Sequence, residues 1–330
     1  MLSFGVSFAD ATLYGWVDQS HNTVATTTQG GTKSTTNSWG ASQGGTSALG
    51  VKGDEDLGDG LKASYLMEIA INADTNTAAG SQSANGTNRQ SFVGLDGAFG
   101  GIKIGRQYTP SFNALAAMDP SGVSGFNGYM ALNGFQQSNG FYYTSPNLSG
   151  FNLILGMHEG EVADKSTGNV ATYGATYASG PIYASITQET TTKGTTAVGL
   201  TSTNLVGSAT AGENKLITFA ATYDMGVAKV GILNETIDSS SDSSQAKATH
   251  FSVAVPIGSL TLGAIIGSGS YTTAGTTTSV DMNSTGFTAD YALSKKTKVY
   301  FRYGETNDKQ TTPANLAKST TTAVGLFMAF

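Results

Sequence analysis

The segment that decides the fold reads AVGLFMAF and occupies positions 323–330. Its residues Val324, Leu326, Met328 and Phe330 fall on every second position, which is the period of a β-strand with one apolar face. A globular protein has little use for a large aromatic residue at the end of such a strand. A strand that closes a barrel in a membrane must meet lipid on one face and pair with a neighbouring strand. If the rest of the chain alternates in the same way, the segment predicts a transmembrane β-barrel.

Composition agrees with a single large barrel. The 330 residues include 43 Gly, 6 Pro and only 12% charged residues. No apolar run approaches the roughly 20 residues of a spanning helix, and a mean hydropathy of -0.10 suits strands whose apolar and polar faces average out. The absence of Cys excludes disulfides, thiol nucleophiles and thiolate metal sites. A net charge of -6 argues against a nucleic-acid partner.

The first nine residues are expected to be a signal-peptide remnant; the alternative is a lead-in to the first strand. Ser7, Phe8 and Ala9 resemble a cleavage site, and residues 2–6 could end an apolar core, although no positively charged start precedes them. We therefore expect one domain, the barrel, over residues 10–330.

Short turns and long loops alternate along the chain. Seven short segments rich in turn-forming residues lie between period-2 stretches, at 56–60, 97–101, 146–150, 179–181, 224–226, 256–259 and 294–297. Longer polar segments separate them, at 20–46, 73–88, 109–138, 159–168, 189–213, 236–246, 269–283 and 305–318. Seven hairpins with one further strand at each terminus predict an all-β fold, a 16-stranded antiparallel transmembrane β-barrel.

Parity assigns the two faces of each strand. After the first turn, Leu61, Tyr65 and Met67 share one face, while Lys62 and Glu68 lie on the other. Alternation alone would also fit a two-sheet sandwich with one dry face. The segregation of short turns from long loops, together with Phe330, favours the barrel.

Six segments in order resemble one protein family. They are ATLYGWVD at 11–18, LGVKGDEDLGDGLKA at 49–63, SFVGL at 91–95 followed by IGRQYTP at 104–110, YTSP at 143–146, DYALSKKT at 290–297, and the terminal Phe330. Together they resemble the trimeric general porins of Gram-negative outer membranes, especially the β-proteobacterial branch. The resemblance covers nearly the whole chain.

The resemblance implies an outer-membrane diffusion channel that assembles as a homotrimer. It implies short periplasmic turns, long extracellular loops, and a third loop, 109–138, folded into the barrel as a constriction; within it, residues 113–120 are compatible with a short helical turn. The implied partners are membrane lipid and lipopolysaccharide, small hydrophilic solutes and ions, and the insertion machinery, which would recognise Phe330 as an assembly signal. No cofactor and no metal site are expected.

A porin sieves by pore size and by the field across its constriction. Parity places Lys52, Lys62, Arg89 and Lys103 on the inner wall, with Asp119 on the inserted loop facing them. Two further cations are expected to face the lumen, Lys298 and Arg302. Arg106 shares parity with the apolar face and is expected at the subunit interface. For each residue, an ordinary solvated side chain is the competing interpretation.

Relatives that prefer anions carry Arg at several positions where this chain does not. The matching residues here are Ala48, Gln136, Tyr142, Phe327 and Ala329. The resemblance therefore implies weak charge selectivity, leaning if anything towards cations.

Other functions find less support. His21, His158 and His250 lie on separate segments without ligand spacing, and no Ser/His/Asp arrangement can be assembled, so no enzymatic activity is expected. The alternative of a different class is a surface barrel or adhesin without a conducting pore. Its binding surface would be the Thr/Ser-rich loops at 23–46 and 189–213.

Overall fold

The structure is a computed structural model. It describes residues 11–40, 43–75, 77–78, 88–122, 136–161, 163, 167–192, 200–201, 204–205, 212–240, 245–272, 279–309 and 316–330. The expected signal-peptide remnant and positions 123–135 of the expected constriction loop lie outside these residues.

The described chain is almost entirely β-structure, with one helix. In chain order its elements are β1 (Thr12–Thr28), β2 (Lys33–Gly40), β3 (Ala48–Gly58), β4 (Leu61–Asn72), β5 (Thr77–Ala78), β6 (Asn88–Gly97), β7 (Gly100–Tyr108), α1 (Pro110–Met118), β8 (Gln136–Gln137), β9 (Gly140–Thr144), β10 (Phe151–His158), β11 (Val170–Ser179), β12 (Ile182–Thr191), β13 (Leu200–Thr201), β14 (Asn204–Leu205), β15 (Asn214–Asp224), β16 (Lys229–Ser239), β17 (Gln245–Ile257), β18 (Leu260–Thr272), β19 (Ser279–Ala292), β20 (Thr297–Asp308) and β21 (Leu316–Ala329).

Sixteen of these strands form one closed antiparallel barrel, while β2, β5, β8, β13 and β14 are additional pieces in the long connections. The seam that closes the barrel joins β1 to β21, with Trp16 opposite Ala329 and pairing continuous as far as Thr27 opposite Lys318. The backbone N–H of Phe330 donates to the Gly15 carbonyl at 3.0 Å. The predicted 16-stranded barrel is confirmed, and a sandwich is excluded.

All seven predicted turns connect neighbouring strands. In the turn between β15 and β16, Gly226 has a φ of 78°, which a side chain would disfavour, and its N–H donates to the Asp224 carboxylate at 2.8 Å. The seven turns define the short-turn end of the barrel, and the longer connections define the loop end.

The prediction of one loop over 20–46 is wrong for residues 20–28 and 33–40, which lie in strands. There β1 continues to Thr28 and pairs on one side with β2 and on the other with β21. The segment is rich in Thr, whose branched side chain suits a strand even where neither face is apolar. Similarly, β18 ends at Thr272 and β19 begins at Ser279, so both strands enter the segment 269–283 that was predicted as a loop.

The outer surface of the barrel is apolar. Along β10, Leu153, Leu155 and Met157 are about half exposed, whereas the alternate residues are more covered. The same parity holds along β21, where Val324, Leu326 and Met328 face outward. The faces assigned by alternation are therefore as predicted. No helix in the described ranges has the length and apolarity to cross a membrane.

Candidate functional site

The helix α1 lies inside the barrel, directly after β7. Thr109 caps its N-terminus by accepting a hydrogen bond from the Phe112 N–H at 3.1 Å, and Pro110 occupies the first turn. At the other end the Asp119 N–H donates to the Leu115 carbonyl at 3.0 Å. The helix therefore begins three residues before the predicted helical turn at 113–120, because the Thr-Pro pair is a start signal.

One face of α1 packs on an apolar part of the inner wall. Ala114, Leu115 and Met118 form a buried cluster with wall residues on three strands, namely Ala220, Leu233 and Ile265. Each is at most 3% exposed. Because inward positions of a wet barrel are normally polar, this patch marks where the loop is docked.

Both ends of α1 are held by polar groups from the wall. The Glu189 carboxylate accepts from the Ser111 N–H at 3.2 Å near the N-terminus. The Lys229 ammonium donates to the Ala117 carbonyl at 2.7 Å near the C-terminus. The hydrogen-bond acceptor thus lies at the N-terminal end of the helix, and the cation lies at the C-terminal end, where the helix dipole favours positive charge.

Arg89 lies on another part of the inner wall, on β6. Its guanidinium is paired with Glu68 and donates to the Tyr108 hydroxyl. It also lies between two rings, 5.5 Å from the Trp16 centroid and 5.8 Å from the Tyr108 centroid. Tyr14 donates to the second oxygen of Glu68 at 2.9 Å. Arg89 is therefore held in one orientation with its remaining N–H groups available.

Lys298 reaches the same space from β20. Its ammonium is 2.6 Å from Asp290 and 5.4 Å from the Phe327 centroid. The ring of Phe327 stacks on Trp16, with centroids 6.5 Å apart. Arg89 and Lys298 thus line one pocket of about 430 Å³ that continues to α1. Its lining consists of Trp16, Gly44, Gly45, Thr46, Arg89, Tyr108, Phe112, Ala116, Ser121, Gly122, Gln136, Lys298 and Phe327.

Contrary to the prediction, Arg302 does not line the lumen. It is on the inward face but is completely buried, paired with Asp290 and donating to the Gln43 carbonyl at 3.1 Å and the Ser121 carbonyl at 3.5 Å. The chain before β3 and the chain after α1 cover it, which parity cannot reveal. Arg302 therefore holds these two segments to the wall.

Asp119 is turned into its own loop. Its carboxylate accepts from the Ser121 N–H and from the Ser121 hydroxyl, both at 2.7 Å, and it is nearly buried. The preceding Met118 and the following Pro120 lie against Gly231 and Gly263 of β16 and β18. The structure thus does not bring Asp119 to Arg89, whose carboxylate partner is Glu68.

The three predicted wall lysines lie in different places. Lys62 pairs with Asp54 at 2.6 Å, half exposed and one residue after the start of β4, so it lies at the mouth of the short-turn end. Lys52 lies over the Tyr14 ring at 5.1 Å. Lys103 lies over Phe92 at 5.0 Å and lines a second pocket, of about 460 Å³, that reaches α1. Only Lys103 of the three lies beside the helix.

Arg106 anchors the chain returning from the inserted loop. It donates to the Ser138 hydroxyl at 2.7 Å and to the Gln136 side chain at 3.4 Å. Its role at a subunit interface stays a prediction. In the described ranges no cluster of three or more His, Cys, Asp or Glu could hold a metal ion.

The rings of Trp16, Tyr108, Phe112 and Phe327 were missed by sequence reasoning. A signal existed for two of them, since Trp16 and Phe327 occupy inward positions of β1 and β21 beside outward Val17 and Met328.

Comparison with known proteins agrees with this architecture. A family model described as Gram-negative porin matches residues 2–311. The outer membrane porin protein 32 of Delftia acidovorans is 30% identical over 245 residues, which is 69% of this chain and 64% of that protein. The alignment thus spans less than two thirds of the relative's length.

Two solved structures share the fold. The anion-selective porin from Comamonas acidovorans has a TM-score of 0.80 at 24% identity, covering 98% of this chain and all of that one. OmpT of Vibrio cholerae, in a trimer form, has a TM-score of 0.69 at 16% identity, covering 98% of this chain and 100% of its own. Because the family model covers most of its length, this chain belongs to the Gram-negative porins.

Proposed function

We propose that the chain is a general diffusion porin, a passive water-filled channel for ions and small hydrophilic solutes across the outer membrane. The observation that carries the proposal is α1 docked inside a closed barrel, where it narrows the passage opposite Arg89 and Lys298. A barrel that served only as a surface scaffold would have no need of an inserted helix with charged groups around the remaining space. No catalytic chemistry is required by this arrangement.

Charge selectivity should be weak. The cations Arg89, Lys298 and Arg302 are each paired, with Glu68 or with Asp290. Asp18 adds a further carboxylate, which accepts from the Tyr300 hydroxyl beside Arg302. The fixed charges of this zone nearly cancel, so the field acting on a passing ion is small.

Conductance in planar bilayers tests the proposal. Purified protein should give stable stepwise openings whose current rises linearly with voltage. In a potassium chloride gradient the reversal potential should stay far from the ideal anion or cation limit. An adhesin-type barrel would give no steps at all, whereas a reversal potential at either limit would contradict weak selectivity alone.

We further propose that the barrel assembles as a homotrimer, with Arg106 near the interface. OmpT, which shares the fold, has been solved in a trimer form. Arg106→Ala should lower the temperature at which the oligomer dissociates on gels. An unchanged dissociation temperature would leave Arg106 as a loop anchor only, through Ser138 and Gln136.

Assembly should also depend on Phe330. Its ring is half exposed on the outer surface and covers Gly15, where an added Cβ would come within 2.6 Å of the ring. Phe330→Ala should reduce the amount of heat-modifiable folded protein in outer membranes, because the seam loses this contact and the insertion machinery loses the signal implied by the family. Wild-type amounts of folded protein would contradict both roles.

A further inference from the structure

Cations and aromatic rings alternate across the pocket beside α1. Arg89 stacks on Trp16, Trp16 stacks on Phe327, and Phe327 faces Lys298. We propose that this pocket is a binding site for monocyclic aromatic carboxylates, which pause there on their way through the pore. The movement of these ligands through the pore rests on the proposed channel function, but binding in the pocket can be tested without it.

The ring contacts are suited to a flat ligand. Two stacked pairs border the pocket: Trp16 with Phe327, inclined by 27°, and Tyr108 with Phe112, whose centroids are 4.4 Å apart and inclined by 28°. Aromatic rings prefer offset or edge contacts with further rings. A volume of about 430 Å³ lies in the range of small-molecule pockets, about 300–1,000 Å³. It holds a single-ring ligand with some water.

The charge exposed to the pocket is positive. Among the described residues that line it, Arg89 and Lys298 carry charge and none is Asp or Glu. Glu68 and Asp290 hold the two cations from behind, so they fix the orientation of the donors without entering the pocket. A guanidinium has five N–H donors and an ammonium three, so both retain donors for a ligand carboxylate.

These two features together select the ligand class. A small aliphatic carboxylate would contact the cations but gain little from the rings. An aromatic ammonium ion would meet two like charges. An aromatic carboxylate uses both features, because its carboxylate can accept hydrogen bonds from Arg89 and Lys298 while its ring contacts the aromatic lining.

Block of the chloride current provides the first test. Benzoate, cyclohexanecarboxylate, acetate and benzylammonium are compared, since the first two match in charge and approximate size. Benzoate should block saturably, at a concentration about three- to tenfold lower than cyclohexanecarboxylate, and benzylammonium should not block. Trp16→Leu and Phe327→Leu should each remove that advantage. Lys247→Gln, which neutralises an exposed lysine between the inward-facing Ala246 and Ala248, is the matched control.

Fluorescence provides a second test that needs no conduction. The chain has two Trp, and Trp39→Phe leaves Trp16 as the only one. In detergent, 4-nitrobenzoate should quench Trp16 saturably, benzoate should displace it, and Lys298→Gln should weaken binding about tenfold. Nitrobenzene, which lacks the carboxylate, should quench only in proportion to its concentration.

The outcomes separate the two proposals. Normal chloride conductance with equal block by benzoate and cyclohexanecarboxylate would overturn the aromatic site and leave the porin function intact. Saturable quenching without conductance would support the site and overturn the channel. Linear quenching by 4-nitrobenzoate, unaffected by Lys298→Gln, would overturn the site whatever the conductance.

Discussion

Two parts of the inner wall differ in chemistry although both are built from period-2 strands. The helix wall, formed by β12 and β15–β18, presents Ala220, Leu233 and Ile265 and is dry where α1 covers it. The passage wall, formed by β1, β6, β20 and β21, presents Arg89, Lys298 and aromatic rings to open space. The same inward parity therefore serves for docking on one side and lines open space on the other.

The difference has a physical reason. An apolar inward side chain is stabilising only if something removes it from water, and α1 supplies that cover. A charged inward side chain needs water or a counter-charge, and the passage wall supplies both. The helix wall should therefore determine the width of the pore, and the passage wall should determine which solutes bind in it.

The largest effect is expected from placing a charge in the docked face. Leu115→Asp buries a carboxylate against Leu233 and Ile265, which costs several kcal/mol unless the helix leaves the wall. We expect a barrel that still folds but whose single-channel conductance is larger and noisier.

The matched control is Asn113→Asp, which introduces the same side chain at an exposed position of the same helix. It should leave the mean conductance unchanged. If Leu115→Asp also conducts like the unmodified protein, the helix wall does not set the width.

A moderate effect is expected at the end of the helix. Lys229→Met removes the donor to the Ala117 carbonyl, and a hydrogen bond to a charged group contributes about 1.5–3 kcal/mol. Because the apolar contacts persist, the mean conductance should change little while short current fluctuations become more frequent. Lys247→Met, outside the lumen, serves for comparison. Equal current noise in both variants would show that Lys229 does not hold the end of the helix.

On the passage wall, a smaller effect is expected from single charges. Arg89→Gln should shift the reversal potential towards cation preference, because a unit charge about 4 Å from a passing ion interacts with it by about 1 kcal/mol in water. Lys62→Gln, at the wide mouth and paired with Asp54, should shift it less. Both shifts should shrink near 1 M salt, where the Debye length is about 3 Å. A larger shift from Lys62 would place the selective zone at the mouth.

The smallest effect is expected from Asp119→Asn. The carboxylate is held by Ser121 inside its own turn, on the side of β16–β18. Its loss should move the reversal potential only slightly towards anions. A shift larger than that of Arg89→Gln would show that Asp119 faces the passage after all.

The outer face of the barrel was predictable because lipid imposes one rule on every strand. Leu153 and Met157 face outward, as the alternation of side chains along the strand predicted. The turns were equally predictable, since positions such as Gly226 need a backbone conformation that few residues adopt.

The inner wall obeys no single rule, so the site was only partly predictable. Arg89 and Lys298 line the pocket beside α1, whereas Arg302 is buried by two segments distant in sequence, and the carboxylate of Asp119 is hydrogen-bonded by Ser121. One signal was available on the helix wall. The adjacent pairs Ile232-Leu233 and Ile265-Ile266 break the alternation, and in each pair one apolar residue, Leu233 or Ile265, faces inward and has to be covered.

The seam between β1 and β21 also constrains how the barrel can form. It pairs residues from the two extremes of the described chain, Trp16 with Ala329. All the remaining described strands therefore lie between β1 and β21 in sequence. Contacts so distant in sequence carry a large loop-closure entropy and form late. During synthesis, β1 must leave one edge unpaired until β21 has been made. Something other than its final neighbour must shield that edge in the meantime, because an open strand edge invites pairing with another chain.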